Sequence, residues 1–181
     1  NVKHPALAVG RNMVVRLYTK PRGTDFLFER FDFPKGEWVK VDGKLPPFRR
    51  YPGDVLVFDS AQASFLLWGG ARFTDTWICK AAGNGWRELR AAANPSIHQR
   101  PAVCYDRRNQ LFVMHGGWQG ASRVKDTWVF DAGRKCWFEV KEDTAPHGGV
   151  DGLEYDPLTR CCIGWKARDK EVWTLRITPA R

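Results

Sequence analysis

The 181-residue sequence has no long apolar run. A helix that spans a bilayer needs about 20 consecutive apolar residues, and no stretch here approaches that length. The chain also does not open with the charged and then apolar segment that marks a secretory signal. We therefore predict no membrane insertion. Because the chain begins at Asn1 rather than at methionine, we expect either a removed leader or a piece of a longer protein.

The sequence also lacks the usual marks of disulfide, metal and phosphate chemistry. Its five cysteines are odd in number and show no CxxC spacing, which favours free thiols over a disulfide framework or a metal site. No glycine-rich loop is followed by Lys-Ser/Thr, and no pair of carboxylates suggests acid–base work. We predict no cofactor and no metal. We also predict an intracellular, reducing compartment, with the cytoplasm favoured and the mitochondrion as the alternative.

The net charge of +9 comes from 29 Lys and Arg against 20 Asp and Glu, and it is spread along the chain. No basic tail is present, so attraction for an acidic partner depends on how the folded surface gathers these charges.

A repeat of about 47 to 51 residues explains the nine tryptophans. "VLVFD" returns as "AVCYD" and "GLEYD", "FLLWGG" returns as "FVMHGG", and Asp-Thr-Trp recurs before degenerating to Glu-Val-Trp. The repeated positions are Gly69, Gly70, Asp75, Trp77 and Trp86 in one unit, Gly116, Gly117, Asp126, Trp128 and Trp137 in the next, and Trp173 in the last. Paired glycines suit a strand end, the aspartate suits a turn cap, and tryptophans supply area for packing. We therefore predict structural roles for these residues.

Each repeat contains four short apolar runs separated by turn formers. This pattern predicts an all-β fold, a β-propeller of about four blades with four antiparallel strands each. The predicted blades are residues 1–48, 49–95, 96–145 and 146–181 of one propeller region, and the last blade has no clear fourth strand. Fewer than four full blades leave open strand edges. The alternatives are a piece of a larger propeller, a compact four-blade ring, or completion by another chain.

The order of apolar run, Gly-Gly, basic loop, Asp-x-Trp and second Trp resembles the kelch motif of kelch and galactose-oxidase-like propellers. The resemblance is strong over residues 49–140 and weak at both ends. It implies a propeller, and it makes an interaction scaffold the expected function because many kelch-like propellers serve that role.

The group of propellers that the sequence resembles includes one class of enzymes, the radical-copper oxidases, whose sites use tyrosine, histidine and cysteine. We expect Tyr105 and Tyr155 to pack in the core, since each lies in a first strand just before the turn aspartate. We expect His98 and His147 to lie in solvated loops, with a ligand role as the alternative, and His115 to be a packed strand residue. The protein is therefore predicted not to be an enzyme, and a galactose-oxidase-like activity ranks third.

In a four-stranded up-and-down blade, the loops after strands two and four emerge at the same end. Sorted in this way, the loops of one end are strongly basic, with aromatic residues among the charges. The predicted binding residues are Arg49, Arg50, Arg72, Phe73, Arg100, Trp118, Arg123, Lys125, Lys166 and Arg168. We predict that this face binds an acidic protein surface or peptide, within a hetero-assembly or longer propeller. The alternatives are an RNA-contacting propeller subunit and ordinary solvated loops.

Overall fold

The computed structural model describes residues 6–10, 13–19, 26–46, 55–70, 73–83, 85–141 and 150–178. Over these residues the regular structure is all strand. Among them, no helix is long and apolar enough to cross a membrane. The chain divides into two compact units, residues 1–90 and residues 91–181.

Unit 1 contains two four-stranded antiparallel sheets, blades 1 and 2, whose strands pair in chain order. Blade 1 comprises β1 (Ala6–Gly10), β2 (Met13–Thr19), β3 (Phe26–Asp32) and β4 (Glu37–Lys40). Blade 2 comprises β5 (Val55–Asp59), β6 (Ser64–Gly70), β7 (Phe73–Lys80) and β8 (Arg87–Leu89).

Unit 2 contains blades 3 and 4 and one small hairpin. Blade 3 comprises β9 (Ala102–Asp106), β10 (Leu111–His115), β13 (Thr127–Asp131) and β14 (Cys136–Val140). The hairpin β11 (Trp118–Gln119) and β12 (Ser122–Arg123) lies between β10 and β13 along the chain. Blade 4 comprises β15 (Gly152–Asp156), β16 (Cys161–Lys166) and β17 (Glu171–Leu175).

The predicted fold class is confirmed. All four sheets are antiparallel meanders of the propeller-blade type, and within the described residues blade 4 has three strands, as its sequence suggested. The repeated runs "VLVFD", "AVCYD" and "GLEYD" form the first strands β5, β9 and β15, because apolar runs and turn formers alternate so regularly. The hairpin β11–β12 was not predicted, because strands of two residues are too short to show an alternating pattern.

One turn recurs at five of the hairpins. An aspartate ends the first strand, and its carboxylate accepts backbone N–H bonds from the residues two or three positions on, as Asp59 does from Ala61 and Gln62 at 2.9 and 3.0 Å. The residue four positions after the aspartate takes a left-handed φ, as Ala63 (45°) does. Asp32, Asp106, Asp131 and Asp156 open the equivalent turns. The aspartate that ends the first strand of each of these hairpins therefore stabilises the turn.

Each unit buries its core between the facing sheets of its two blades. In unit 1 the cluster is Ala8, Val15, Leu17, Phe28, Leu56, Phe65, Leu67, Trp77, Cys79 and Trp86. In unit 2 it is Ala102, Cys104, Val113, Val129, Val150, Leu153, Tyr155, Cys162 and Leu175. The first strands of the paired blades lie against each other, β1 on β5 and β9 on β15. Because burying one such apolar side chain contributes roughly 1.5–3 kcal/mol, these interfaces stabilise each unit.

Two predicted tryptophans supply packing area, as the repeat suggested. Trp86 meets Phe28 edge-on with ring centroids 5.5 Å apart, and Trp137 lies 5.1 Å from Phe130. All five cysteines are free, and four of them are buried. Tyr105 and Tyr155 are buried in their first strands, as predicted.

The Asp-x-Trp motif has a different role from the predicted turn cap. Asp75 accepts the indole N–H of Trp77 at 2.5 Å, and Asp126 accepts that of Trp128 at 2.8 Å. In extended backbone, residues two apart share a face, so the carboxylate, within β7 for Asp75 and directly before β13 for Asp126, reaches the tryptophan two residues on. The spacing therefore encodes a hydrogen bond that holds the indole in place.

The first glycine of each pair takes a left-handed backbone, with φ of 63° at Gly69 and 65° at Gly116. Gly70 follows a register shift between β6 and β7. Gly117 is the most constrained: at φ 102° a Cβ would lie 2.8 Å from the carbonyl oxygen of Gln99. The diglycine therefore ends β10 and lets the next loop approach closely.

Candidate binding surface

The loop before β9 is fixed to the hairpin β11–β12 of blade 3. Gln99 and Trp118 form an isolated antiparallel bridge, with each backbone N–H donating to the other residue's carbonyl at 2.8 Å. Gly117 lies in this contact, which explains its close approach to Gln99. The loop after a fourth strand and the loop after a second strand therefore meet at one end of unit 2, as the alternation of strands predicts.

His98 also joins these parts of blade 3. The expectation that its side chain lies in a solvated loop is wrong. The side chain is buried, its Nδ1 is 2.6 Å from the carbonyl oxygen of Ser96, and its Nε2 is 2.9 and 3.0 Å from the Asp126 carboxylate oxygens. The ring therefore contacts a backbone carbonyl on one side and a carboxylate on the other. A single histidine in a loop gives no sequence signal for such an anchor. His147 lies outside the described residues.

Asp126 is the acceptor that joins these parts. Burial acts to raise the pKa of its carboxyl, but hydrogen bonds from His98 and Trp128 outweigh burial and hold the pKa below its ordinary value. The carboxylate is therefore charged at neutral pH. It links the loop before β9 to the start of β13.

His115 is a packed strand residue, as predicted. It is buried, its Nδ1 is 2.9 Å from the hydroxyl of Thr127, and its ring centroid lies 5.1 Å from that of Trp173. Burial lowers the pKa of the imidazole, although the charge of Asp126 partly opposes this. A neutral, enclosed ring suits packing between blades 3 and 4.

The hairpin presents an aromatic side chain and a basic one together. The guanidinium carbon of Arg123 lies 4.7 Å from the centroid of the Trp118 ring, and the two residues pair across β11 and β12. Both side chains are exposed, and 36% of Trp118 faces solvent. Stacking of a guanidinium on an indole orders both groups without burying them. Arg100 follows Gln99 directly and is also exposed.

The turn after β16 in blade 4 adds further basic side chains. Lys166 forms an ion pair with Asp169, and Arg168 is exposed between them in the chain. The pKa of the Asp169 carboxyl is lowered first by its hydrogen bond to Lys166 and further by the charges of Arg168 and Arg123. The effect of Arg123 shows that this turn and the hairpin β11–β12 lie within electrostatic range of each other.

A second backbone link ties the turn after β16 to the segment before β15. Asp151 accepts a hydrogen bond from the backbone N–H of Ala167 at 2.7 Å, and its own N–H donates to the carbonyl of Trp165 at 2.9 Å. Blade 4 therefore repeats the arrangement of blade 3, with the loop that enters the blade fixed to the loop after its second strand.

We name residues 99–101, 117–125 and 165–170 the unit 2 loop surface. It contains six basic residues and one acidic residue: Arg100, Arg123, Lys125, Lys166, Arg168 and Lys170 against Asp169. Backbone hydrogen bonds of the kind found between strands hold these loops in place. The surface is therefore basic and ordered, and it exposes Trp118 stacked on Arg123.

Six of the ten predicted binding residues belong to this surface: Arg100, Trp118, Arg123, Lys125, Lys166 and Arg168. Of these, Lys166 is partly buried, and its charge is balanced by Asp169. Phe73 is exposed in unit 1 at the start of β7. Arg49, Arg50 and Arg72 lie outside the described residues. The role of all ten in binding stays a prediction.

The described residues contain no cluster of three or more His, Cys, Asp or Glu side chains suited to a metal ion. The absence of an enzymatic activity stays a prediction as well. The sequence matches no protein-family model. It likewise matches none of the curated proteins with which it was compared.

Proposed function

We propose that this propeller-blade protein is a non-catalytic interaction scaffold that binds an acidic protein surface or peptide through the unit 2 loop surface. The observation that carries the proposal is the stacked Trp118–Arg123 pair on a hairpin that is hydrogen-bonded to the neighbouring loop. Tryptophan and arginine are the residues most often found at the energetic centres of protein interfaces.

The order of the surface also supports this function. Binding loops lose affinity when side chains and backbone must be fixed on association. Here the bridge between Gln99 and Trp118 and the hydrogen bond between His98 and Asp126 hold the backbone before any partner arrives. The basic excess would speed encounter with an acidic partner.

The kelch-type repeat favours the same proposal, because the order of diglycine, Asp-x-Trp and second tryptophan resembles that of propellers used as interaction platforms. We propose that the chain is kelch-like and acts as one subunit of a hetero-assembly, in an intracellular compartment. Fold alone does not establish function, so the proposal depends on the loop surface.

The test is a selection of peptides from a random library displayed on phage, with the purified protein as bait. We expect enriched peptides to combine Asp or Glu with an aromatic or aliphatic residue. The Trp118→Ala and Arg123→Ala variants should each bind a selected peptide at least about tenfold more weakly, as expected for hot-spot residues. Arg134→Ala is the matched control, because Arg134 is an exposed arginine of the turn between β13 and β14.

A library that yields no peptide dependent on Trp118 or Arg123 would overturn the proposal. A single-stranded uridine oligonucleotide, titrated at several salt concentrations, tests the nucleic-acid alternative. Tight binding that weakens steeply with salt would favour RNA contact over a protein partner. An interface anchored by Trp118 should weaken less.

A further inference from the structure

Two of the five cysteines meet where blade 3 packs on blade 4. The thiol of Cys104, in β9, donates a hydrogen bond to the sulfur of Cys162, in β16, at 3.0 Å. The two residues are 58 positions apart in the chain, and both belong to the buried core cluster of unit 2. Their side chains are 3% and 1% exposed. The fold of unit 2 therefore brings together two thiols that are distant in the sequence.

The other three cysteines, which also lie in the described part of the chain, make different contacts. The thiols of Cys79, Cys136 and Cys161 each donate to a backbone carbonyl oxygen, at 3.4, 3.5 and 3.4 Å. Cys161 is next to Cys162 in β16, but successive side chains of a strand point to opposite faces, so its thiol is directed away from Cys104. Cys104 and Cys162 are thus the pair that is placed for a reaction between two thiols.

The separation of these two sulfur atoms is close to that of a covalent bond between them. In a disulfide the sulfur atoms are about 2.05 Å apart, so the two atoms have to approach by about 1 Å. Strands β9 and β16 lie against each other, and no large movement of the blades is needed to bring the sulfur atoms together.

The surroundings of the pair make its reaction slow and limit which oxidant can reach it. The hydrogen bond with Cys162 and burial raise the pKa of the Cys104 thiol well above its ordinary value, and the charges of Glu154 and Asp106 act in the same direction. The Cys104 thiol is therefore protonated at neutral pH, whereas the thiolate is the reactive form. Hydrogen peroxide is small and uncharged, so it can enter a buried site during local opening of the unit.

We propose that Cys104 and Cys162 form a redox-sensitive modification site, at which hydrogen peroxide converts the two thiols into a disulfide that links blade 3 to blade 4. The thiolate of one cysteine attacks a peroxide oxygen, the O–O bond breaks, and a sulfenic acid and one water form. The second thiol attacks the sulfenic sulfur, the S–S bond forms, and the sulfenic oxygen leaves as a second water. Two thiols thus lose two hydrogens and two electrons, and the peroxide is reduced to two waters. The site does not depend on the unit 2 loop surface or on its partner.

The test is treatment of the purified full chain with excess hydrogen peroxide, followed by alkylation of the remaining thiols and mass spectrometry. We expect an intramolecular disulfide, seen as a loss of about 2 Da before alkylation and as a cross-link between the tryptic peptides that contain Cys104 and Cys162. Dithiothreitol should remove the cross-link and restore the original mass. The reaction should take hours rather than seconds, because the thiols are buried and protonated.

Substitutions at neighbouring positions separate this pair from the other thiols. Cys104→Ala and Cys162→Ala should each abolish the cross-link, whereas Cys161→Ala, the matched control, should retain it. Fragmentation of the cross-linked wild-type peptides shows whether Cys161 or Cys162 is joined to Cys104, so the result does not require every variant to fold. Treated wild type in which Cys104 and Cys162 are not joined would show the proposal to be wrong, whether the thiols stay free, oxidise further or pair with Cys161.

Discussion

Blades 3 and 4 of unit 2 are both antiparallel meanders, but they hold their third strands in different ways. In blade 3, Asp126 binds the indole N–H of Trp128 and the imidazole of His98. Blade 4 has Glu171 at the aspartate position, and within the described part of the chain the buried indole nitrogen of Trp173 has no hydrogen-bond partner. Instead the Trp173 ring covers Gly164, where a Cβ would lie 2.3 Å from it.

This difference shows which parts of the repeat can be replaced by packing. A tryptophan that lies over a glycine stays in place without a carboxylate. The loops at the end of blade 3 depend more on hydrogen bonds, because Asp126 also holds the segment that carries Gln99 and Arg100. We expect substitutions in blade 3 to cost more stability than equivalent ones in blade 4.

The largest effect is expected for Gly117→Ala. Blade 4 has Ala167 at the equivalent position, but in blade 3 a Cβ would lie 2.8 Å from the Gln99 carbonyl oxygen on a backbone with φ 102°. We expect a loss of roughly 3 kcal/mol in the free energy of unfolding, measured by urea denaturation. Gly120→Ala is the control, since Gly120 has φ 62° and nothing within 4 Å of its Cβ position, and it should lose only about 1 kcal/mol. Equal losses would contradict the close approach.

Asp126→Asn should follow in size. It leaves His98 opposite an amide instead of a carboxylate, and hydrogen bonds that involve a charged group are worth roughly 1.5–3 kcal/mol. We expect a loss of about 2 kcal/mol in the free energy of unfolding. Glu171→Gln, the matched change in blade 4, removes an exposed charge and should change stability by less than about 0.5 kcal/mol. A loss for Glu171→Gln as large as that for Asp126→Asn would contradict the comparison.

The contribution of Asp126 should also appear in the dependence of stability on acid pH. The pKa of Asp126 lies below its ordinary value, so folding favours the charged carboxylate. Its contribution is complete above the ordinary aspartate pKa of about 4 and is lost as the pH falls through the lower folded value. Between about pH 6 and pH 2, the melting temperature should therefore fall less steeply for Asp126→Asn than for the wild type. Parallel curves would mean that Asp126 does not contribute.

The smallest expected effect is the difference in stability between the Trp128→Phe and Trp173→Phe variants. Trp128→Phe removes a side chain whose indole donates to Asp126, whereas Trp173→Phe removes an indole nitrogen without a partner. We expect the first variant to lose about 1 kcal/mol more than the second in the same urea experiment. A greater loss for Trp173→Phe would show that packing, rather than the hydrogen bond, dominates at both positions.

Much of the fold could be predicted from the sequence, but the anchoring of the candidate site could not. The strands of blade 2 were predictable because apolar runs such as "VLVFD" are bounded by turn formers. The burial of His98 was not, since no periodicity surrounds that histidine and its partner Asp126 is 28 residues away. The hydrogen bond from the Trp128 indole to Asp126 could not be predicted for a similar reason: spacing indicates which residues recur, but not which atoms are in contact.

Hydrogen exchange at the Gln99 and Trp118 amides tests the central claim most directly, namely that the loop surface of unit 2 is held in place before a partner binds. Both amides lie in exposed residues, yet each donates to a carbonyl at 2.8 Å. The account predicts protection close to that of β9 and β10, with fast exchange confined to the hairpin tip at Gly120 and Ala121. Exchange at Gln99 and Trp118 as fast as at the tip would contradict a preformed binding surface.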